Sequence, residues 1–240
     1  KTAEEHKALV EKVKAALTQA DIAHVEALIE PLHPPDVADL IEPLDPEERR
    51  LFLEITRHVV EPETISHLED TLRDEVVDTM RPEELAEVVT ELDTDDAVDI
   101  LEDLEPDRQQ QVLESLPQEE RTALEEGLTY PEDSAGRLMQ KELVAIPLHW
   151  TVGEIIDHLR RAKDLPDDFY SLYVVDRMNR PLGAVPLSRA MRSPRVTKVT
   201  AIMETELRLG PADTDQEAVA YFLRQYAQVS PPVVDSSGKL

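Results

Sequence analysis

A twelve-residue rhythm runs through the first half of the chain and limits what that half can fold into. Every twelfth position from Leu32 reads Leu32, Leu44, Thr56, Leu68, Met80, Leu92, Leu104 and Leu116. Two places further on stand Pro34, Pro46, Pro82 and Pro106, with Asp70 and Thr94 at the same phase. Eight and nine places on come the pairs Leu40–Ile41, Phe52–Leu53, Thr64–Ile65, Val76–Val77, Val88–Val89, Ile100–Leu101 and Val112–Leu113, weakening to Leu124–Glu125. Each unit reads as a turn and a short helix. Pro at a helix start gives up an N–H that has no partner there, and Thr or Asp can cap with a side-chain oxygen. Helices this short cannot bury an apolar face alone, so the units are expected to stack into a curved superhelix. "AEEHKALVEKVKAAL" (Ala3–Leu17) predicts a longer amphipathic helix leading in, and Gly127 is expected to cap the end of the array.

Of the 240 residues, 41% are apolar, enough for a real core. Asp and Glu number 52 against 25 Lys and Arg, a net charge of −27. Such a surface repels nucleic-acid backbones and anionic lipid, and attracts cations. The densest acidic stretch is "ELDTDDAVDILEDLEPD", Glu91 to Asp107, in which nine of seventeen residues are carboxylates. Asp95 and Asp99 fall one helical turn apart on one face, with Asp96 beside them; such like-charge spacing costs a lone helix roughly 0.2–0.5 kcal/mol. Two readings of this run stay open: a solvated acidic face, as in proteins adapted to high salt, and a cation bridge. An EF-hand loop is excluded, because Ala97, Val98 and Leu104 stand where oxygen ligands and a turn glycine are needed.

The chain has no cysteine, which excludes disulfides, thiolate zinc sites and thiol catalysis. No apolar run approaches the roughly 18 residues of a membrane span. It starts at Lys1 and stops at "SSGKL", where a second hairpin strand should begin, and is therefore expected to be a fragment.

After Gly136 the pattern changes to short strand-like runs alternating with amphipathic helices, and it repeats. A shift of 64 places Met139 on Met203, Pro147 on Pro211, Leu159 on Leu223 and Arg160 on Arg224. A shift of 59 places "VVD" at 174–176 on "VVD" at 233–235. Capping boxes are expected at Thr151/Glu154 and Thr214/Glu217, and "VVDRMNRPLGAV" predicts a strand, a turn and a returning strand. This duplication resembles the CBS domain pair, two β–α–β–β–α copies packed together. Trp150 and Tyr170–Tyr173 are expected to pack those copies.

"YPEDSAGRLM" (Tyr130–Met139) joins the halves. A Tyr–x–Glu–x–x–Ala–Gly–x–Leu–Met run between an acidic helical repeat and a CBS pair resembles the cytosolic part of the MgtE family of magnesium channels and transporters, over roughly the whole chain. The resemblance implies an all-α superhelical domain over 1–128, a junction over 129–138, a first CBS copy over 139–201 and an incomplete second copy over 202–240. It also implies a homodimer formed through the CBS pairs, placement at the cytoplasmic face of the cell membrane, and a transmembrane pore domain after Leu240. Mg2+ would bridge acidic faces of the two parts and shut the pore. By the same resemblance the metal would meet carboxylates of Asp95, Asp99, Asp215 and Glu217 and the backbone carbonyl of Arg137, with Glu63 facing the metal-bearing surface. Two departures stand out: Arg137 brings a positive side chain to a place where relatives can have Gly, and Ala227 stands where an acidic residue can occur. All these donors are hard oxygens, suited to Mg2+, Ca2+ or Mn2+.

CBS pairs often bind adenine nucleotides. In "GAVPLSR", however, Pro186 and Arg189 replace the hydroxyl and the ribose-binding Asp of the usual run. No phosphate loop, nucleophile elbow or metal-type His pair occurs, and the seven His are scattered singly, so no enzyme is expected. The rival reading is a stand-alone helical-repeat and CBS protein for regulation or interaction, without a pore.

Overall fold

A computed structural model describes residues 3–163, 165–166, 168–208, 210–226 and 230–240. The chain divides into two compact units: Lys1–Leu92 with Asp99–Glu120, and Asp93–Val98 with Arg121–Leu240. Ala227 lies outside the described residues. Among those described, no helix is long and apolar enough to cross a membrane.

The first unit is helical throughout. Helix α1 (Ala3–Thr18) leads in, followed by α2 (Ile22–Ile29), α3 (Pro34–Ile41), α4 (Pro46–Thr56), α5 (Glu63–Ser66), α6 (Asp70–Asp78) and α7 (Pro82–Glu91). Then come α8 (Thr94–Glu102), α9 (Pro106–Ser115) and α10 (Gln118–Thr129), of which residues 94–98 and 121–129 belong to the second unit. The helices of the repeat begin at 34, 46, 70, 82, 94 and 106, so the Pro, Asp and Thr of the sequence rhythm are first helical residues. At α4 the cap sits one place earlier: the Asp45 carboxylate accepts from the N–H groups of Glu47 and Glu48, and the Glu48 carboxylate accepts from Asp45 N–H. The apolar pairs point inward as the period requires: Leu40, Ile41, Phe52, Val76, Val77, Val89, Ile100, Leu101, Val112 and Leu113 are buried, and Leu53 and Val88 are half-buried.

One unit breaks the rhythm. A helix begun at His58 would carry Pro62 at its fifth place, where the missing N–H and the ring both oppose a continuing turn. The chain instead makes turns and the short α5, which still buries Thr64 and Ile65.

Arginines tie helices that are two or three units apart. Arg49 of α4 pairs with Glu75 of α6, and Arg73 of α6 pairs with Asp99 and, at 2.9 Å, Asp103. Arg108 of α9 reaches back to Asp78 at 3.1 Å and to the carbonyls of Val77 and Met80 at the end of α6.

Gly127 does not cap the array. It lies buried inside α10, where an added Cβ would stand 2.8 Å from Cγ2 of Val98. The glycine is there to let a neighbouring valine approach the helix backbone, which the one-dimensional pattern does not reveal.

In the second unit β1 (Ala145–Pro147) runs parallel to β2 (Ser171–Val175), with α11 (Val152–Arg161) as the crossover, and β2 pairs antiparallel with β3 (Pro181–Pro186). The turn between β2 and β3 contains Asn179 at φ 60°. Helix α12 (Leu187–Arg192) follows. The core joins Val144, Ile146, Ile155, Leu172, Val174, Val185, Ala190 and Val199. A second, shorter set has β4 (Gly210–Pro211) parallel to β5 (Val233–Val234), linked through α13 (Gln216–Tyr226). The Thr151/Glu154 capping box forms. At the second helix the bond made is one place on: Asp215 accepts from Glu217 N–H at 2.9 Å. Trp150 packs on the core, edge-on to His158 at 5.2 Å between ring centroids, and the buried Tyr173 donates to Ser230 O. Tyr170, expected to pack, is instead 65% exposed.

Candidate functional site

The junction motif is built into the second unit by its backbone. Ala135 N–H donates to Thr214 O and Gly136 N–H to Ala212 O, both at 2.7 Å, and Gln216 N–H donates to Asp133 O at 2.8 Å. Gly136 is required by this approach: a Cβ would come within 2.6 Å of the Tyr130 ring and 2.9 Å of Ala212 O. The result is a cleft of about 490 Å3 lined by Tyr130–Ser134, Arg137, Asp213 and Asp215. Arg137 and Asp215 of the predicted set therefore meet here, and three carboxylates that sequence reasoning missed, Glu132, Asp133 and Asp213, join them. The visible signal was the pairing of two acidic runs, "PEDSAG" and "PADTDQE".

The Arg137 side chain is turned toward the end of α10. Its Nη2 donates to Tyr130 O at 2.7 Å and Leu128 O at 3.2 Å, and its Nε donates to Tyr130 O at 3.2 Å. A cation at helix carbonyls is favourable in itself. The Asp215 and Glu217 side chains are exposed at the start of α13.

Asp95 lies in the first turn of α8 and is half-buried. Burial, then the neighbouring Asp96 and Asp93, push its carboxyl up to about 6, although backbone N–H bonds pull the other way. Its Oδ1 is shielded from solvent and has no hydrogen-bond partner. The helix start is capped from 48 residues away: Glu142 accepts from both the hydroxyl and the N–H of Thr94, while Gln140 donates to Asp93 at 3.0 Å. Thr94, predicted as the cap, is thus the residue being capped.

Asp99, one turn further along α8, is held by Arg73. Glu63 is exposed at the start of α5, with His67 Nε2 at 3.5 Å from its carboxylate. Among the described residues no three His, Asp or Glu side chains converge to hold a metal ion. Mg2+ commonly takes only one or two carboxylates directly and keeps its remaining waters. Asp95 offers a hard oxygen that has no hydrogen-bond partner, on a carboxylate whose charge backbone N–H groups only partly stabilise. Asp99 offers a carboxylate that already has a cation.

Profiles of known families match the two parts in turn: "MgtE intracellular N domain" over residues 32–133 and "CBS domain" over 135–194. A crystal structure described as the cytosolic domain of the Mg2+ channel MgtE in complex with ATP superposes with a TM-score of 0.87. It is 31% identical and covers 96% of this chain and 94% of its own. The chain belongs to the MgtE family. Its fold is the mostly helical MgtE N domain followed by a CBS pair. Curated MgtE relatives include magnesium transporters of Thermus thermophilus, 39% identical over 111 residues, and of Bacillus subtilis, 30% identical over 113. Those matches take in 46% and 47% of this chain but only 25% of each relative, so the matched part of the chain covers about a quarter of the length of these MgtE proteins.

Proposed function

We propose that this chain is a magnesium-sensing regulatory region of a magnesium channel or transporter. The observation that carries the reading is Asp95, a half-buried carboxylate with an unpartnered oxygen at the start of the most acidic helix. Removing such a group from water without a partner is costly, and a divalent cation is the partner that an acidic surface recruits. In this reading Asp95 is the principal ligand. Asp99, Asp215, Glu217, the carbonyl of Arg137 and Glu63 supply further oxygens to metal-bound water or to neighbouring ions, and Mg2+ bridges the acidic faces of the helical part and the CBS pair.

Loss of the ion leaves like charges unscreened. Two unit charges about 4 Å apart repel by ~1 kcal/mol in water and ~4 kcal/mol at an effective dielectric of 20. Screening over ~8 Å at physiological salt confines the effect to close pairs. A few such pairs bias an interface by several kcal/mol, enough to couple ion level to conformation. The proposal includes a homodimer through the CBS pairs, action on a membrane-embedded pore of the whole protein from its cytoplasmic side, and a regulatory role with no catalysis.

The test is small-angle scattering and sedimentation during a MgCl2 titration, with NaCl matched for ionic strength. Compaction specific to MgCl2, weakened in Asp95→Asn, is expected. Equal compaction by both salts would reduce the effect to plain screening and refute the sensor.

A second ligand is favoured by a separate cleft of about 640 Å3 beside β1 and β2, lined by Ile146, His149, Val175, Asp176, Arg177, Lys198 and Thr200 among others. Its apolar wall and two cations suit an adenine nucleotide, the ligand named for the crystallised relative. Arg189, at the ribose-binding position of the usual CBS run, is committed to Glu204 and Ile202 O. Calorimetric titration with ATP tests this; no heat above dilution would refute it.

A further inference from the structure

We infer that Arg73 is a tethered counter-cation that competes with a divalent metal for Asp99 and so sets the concentration at which this chain responds; this deepens the sensing reading above and depends on it. Arg73 is only 5% exposed, although it sits on a helix of an acidic surface. A guanidinium that deep must be paired. One terminal nitrogen donates to Asp99, the other to Asp103 at 2.9 Å, and Asp70 lies 3.6 Å from the latter nitrogen. A guanidinium stays protonated at any physiological pH, so the charge is permanent. The Asp99 and Asp103 side chains remain 49% and 45% exposed. Each carboxylate is thus gripped on one side by an internal cation and open to solvent on another. An incoming metal ion must share Asp99 with the guanidinium or pull it away, and either weakens binding.

Arg49 and Glu75 provide an internal comparison, because they form the same cross-helix pair two units earlier without any carboxylate proposed to bind metal. Arg49 holds one carboxylate, Glu75, and the Leu44 carbonyl, where Arg73 holds two carboxylates, so the first serves as a structural cross-helix pair against which the second is read.

The experiment is isothermal titration calorimetry of the 240-residue chain with MgCl2 at constant ionic strength, comparing the wild type with Arg73→Gln, Arg49→Gln, Arg73→Lys and the double variant Arg73→Gln/Asp99→Asn. Arg73→Gln is expected to bind Mg2+ roughly tenfold more tightly, a change of about 1.4 kcal/mol. Arg49→Gln is expected to match the wild type, and the double variant to lose the gain. Unchanged affinity in Arg73→Gln, an equal gain in Arg49→Gln, or a gain that survives removal of the Asp99 charge would each overturn the inference. Should Arg73→Gln fail to fold, as judged by circular dichroism, Arg73→Lys decides. Lysine keeps the charge but not the two-pronged grip, so affinity should rise by about threefold, and no rise overturns the competition. Mg2+ bound equally by wild type and Arg73 variants defeats this inference alone. No Mg2+-specific binding by any of them defeats the sensing reading together with it.

Discussion

The helical array and the CBS part hold themselves together in different ways. In the array, distant helices are joined by side chains: Arg49 to Glu75, Arg57 to Glu84, Arg73 to Asp99 and Asp103, Arg108 to Asp78. The CBS part also has side-chain ties, such as Arg189 to Glu204 and Arg195 to Asp157, but its two copies and the junction are stitched by backbone bonds, from Ala135 and Gly136 to the Thr214 and Ala212 carbonyls and between the short parallel strands. Side-chain ties tolerate replacement one at a time, whereas backbone ties need the chain to come close and fail when a side chain intervenes. The sole tryptophan, Trp150, packs on the CBS core. Its fluorescence therefore reports the CBS part, while far-ultraviolet circular dichroism is dominated by the helices, and the two parts can be followed separately.

The largest effect is expected at the backbone stitch. Gly136→Ala would drive a methyl into the Tyr130 ring and the Ala212 carbonyl, so urea unfolding followed at Trp150 should lose about 3 kcal/mol or more. Little change there would mean that the junction does not depend on close approach. Arg49→Met should cost roughly 1–2 kcal/mol, because it leaves Leu44 O and Glu75 without their donor. That loss should appear in the helical dichroism and leave the Trp150 transition in place. A shift in both would erase the contrast between the parts.

Gly127→Ala should be smaller still. Alanine gains about 1 kcal/mol of helix propensity over glycine, but its methyl meets the stiff, buried Val98, leaving a net loss near 1 kcal/mol by dichroism. The last change should stabilise. The Asp95 carboxyl has its folded-state pKa raised, so its charged form opposes folding, and the folded state gains stability as pH falls through about 6 toward the ordinary value of 3.8. Asp95→Asn in EDTA is therefore expected to melt higher than the wild type at pH 7.5, by up to about 1 kcal/mol after allowing for partial exposure, and equally at pH 3.5. A variant that melts lower at pH 7.5 would show that the Asp95 charge is already compensated within the chain.

The rhythm of leucines and prolines made the array legible because burial of a short helix depends on local spacing alone. The starts of α3, α4, α6, α7, α8 and α9 follow from it, as do the buried pairs. The break at α5 was also written in the sequence, in Pro62. The candidate site was less legible, because its geometry depends on partners far along the chain. Nothing near Thr94 announces that Glu142 will cap it, and nothing near Asp99 announces Arg73. One signal was available: Arg49 and Arg73 are separated by 24 residues, and so are Glu75 and Asp99. A twelve-residue period makes that spacing two units, which is where the pairs form.

That doubled spacing gives each rung of the array an address. The apolar pairs recur so evenly that loss of one unit would leave the core pattern in phase. Deleting residues 82–93, however, would bring Gln111 to the position Asp99 now holds relative to Arg73. The buried guanidinium would then face a neutral amide. Leucines let neighbouring rungs stand in for one another, and the arginines count them.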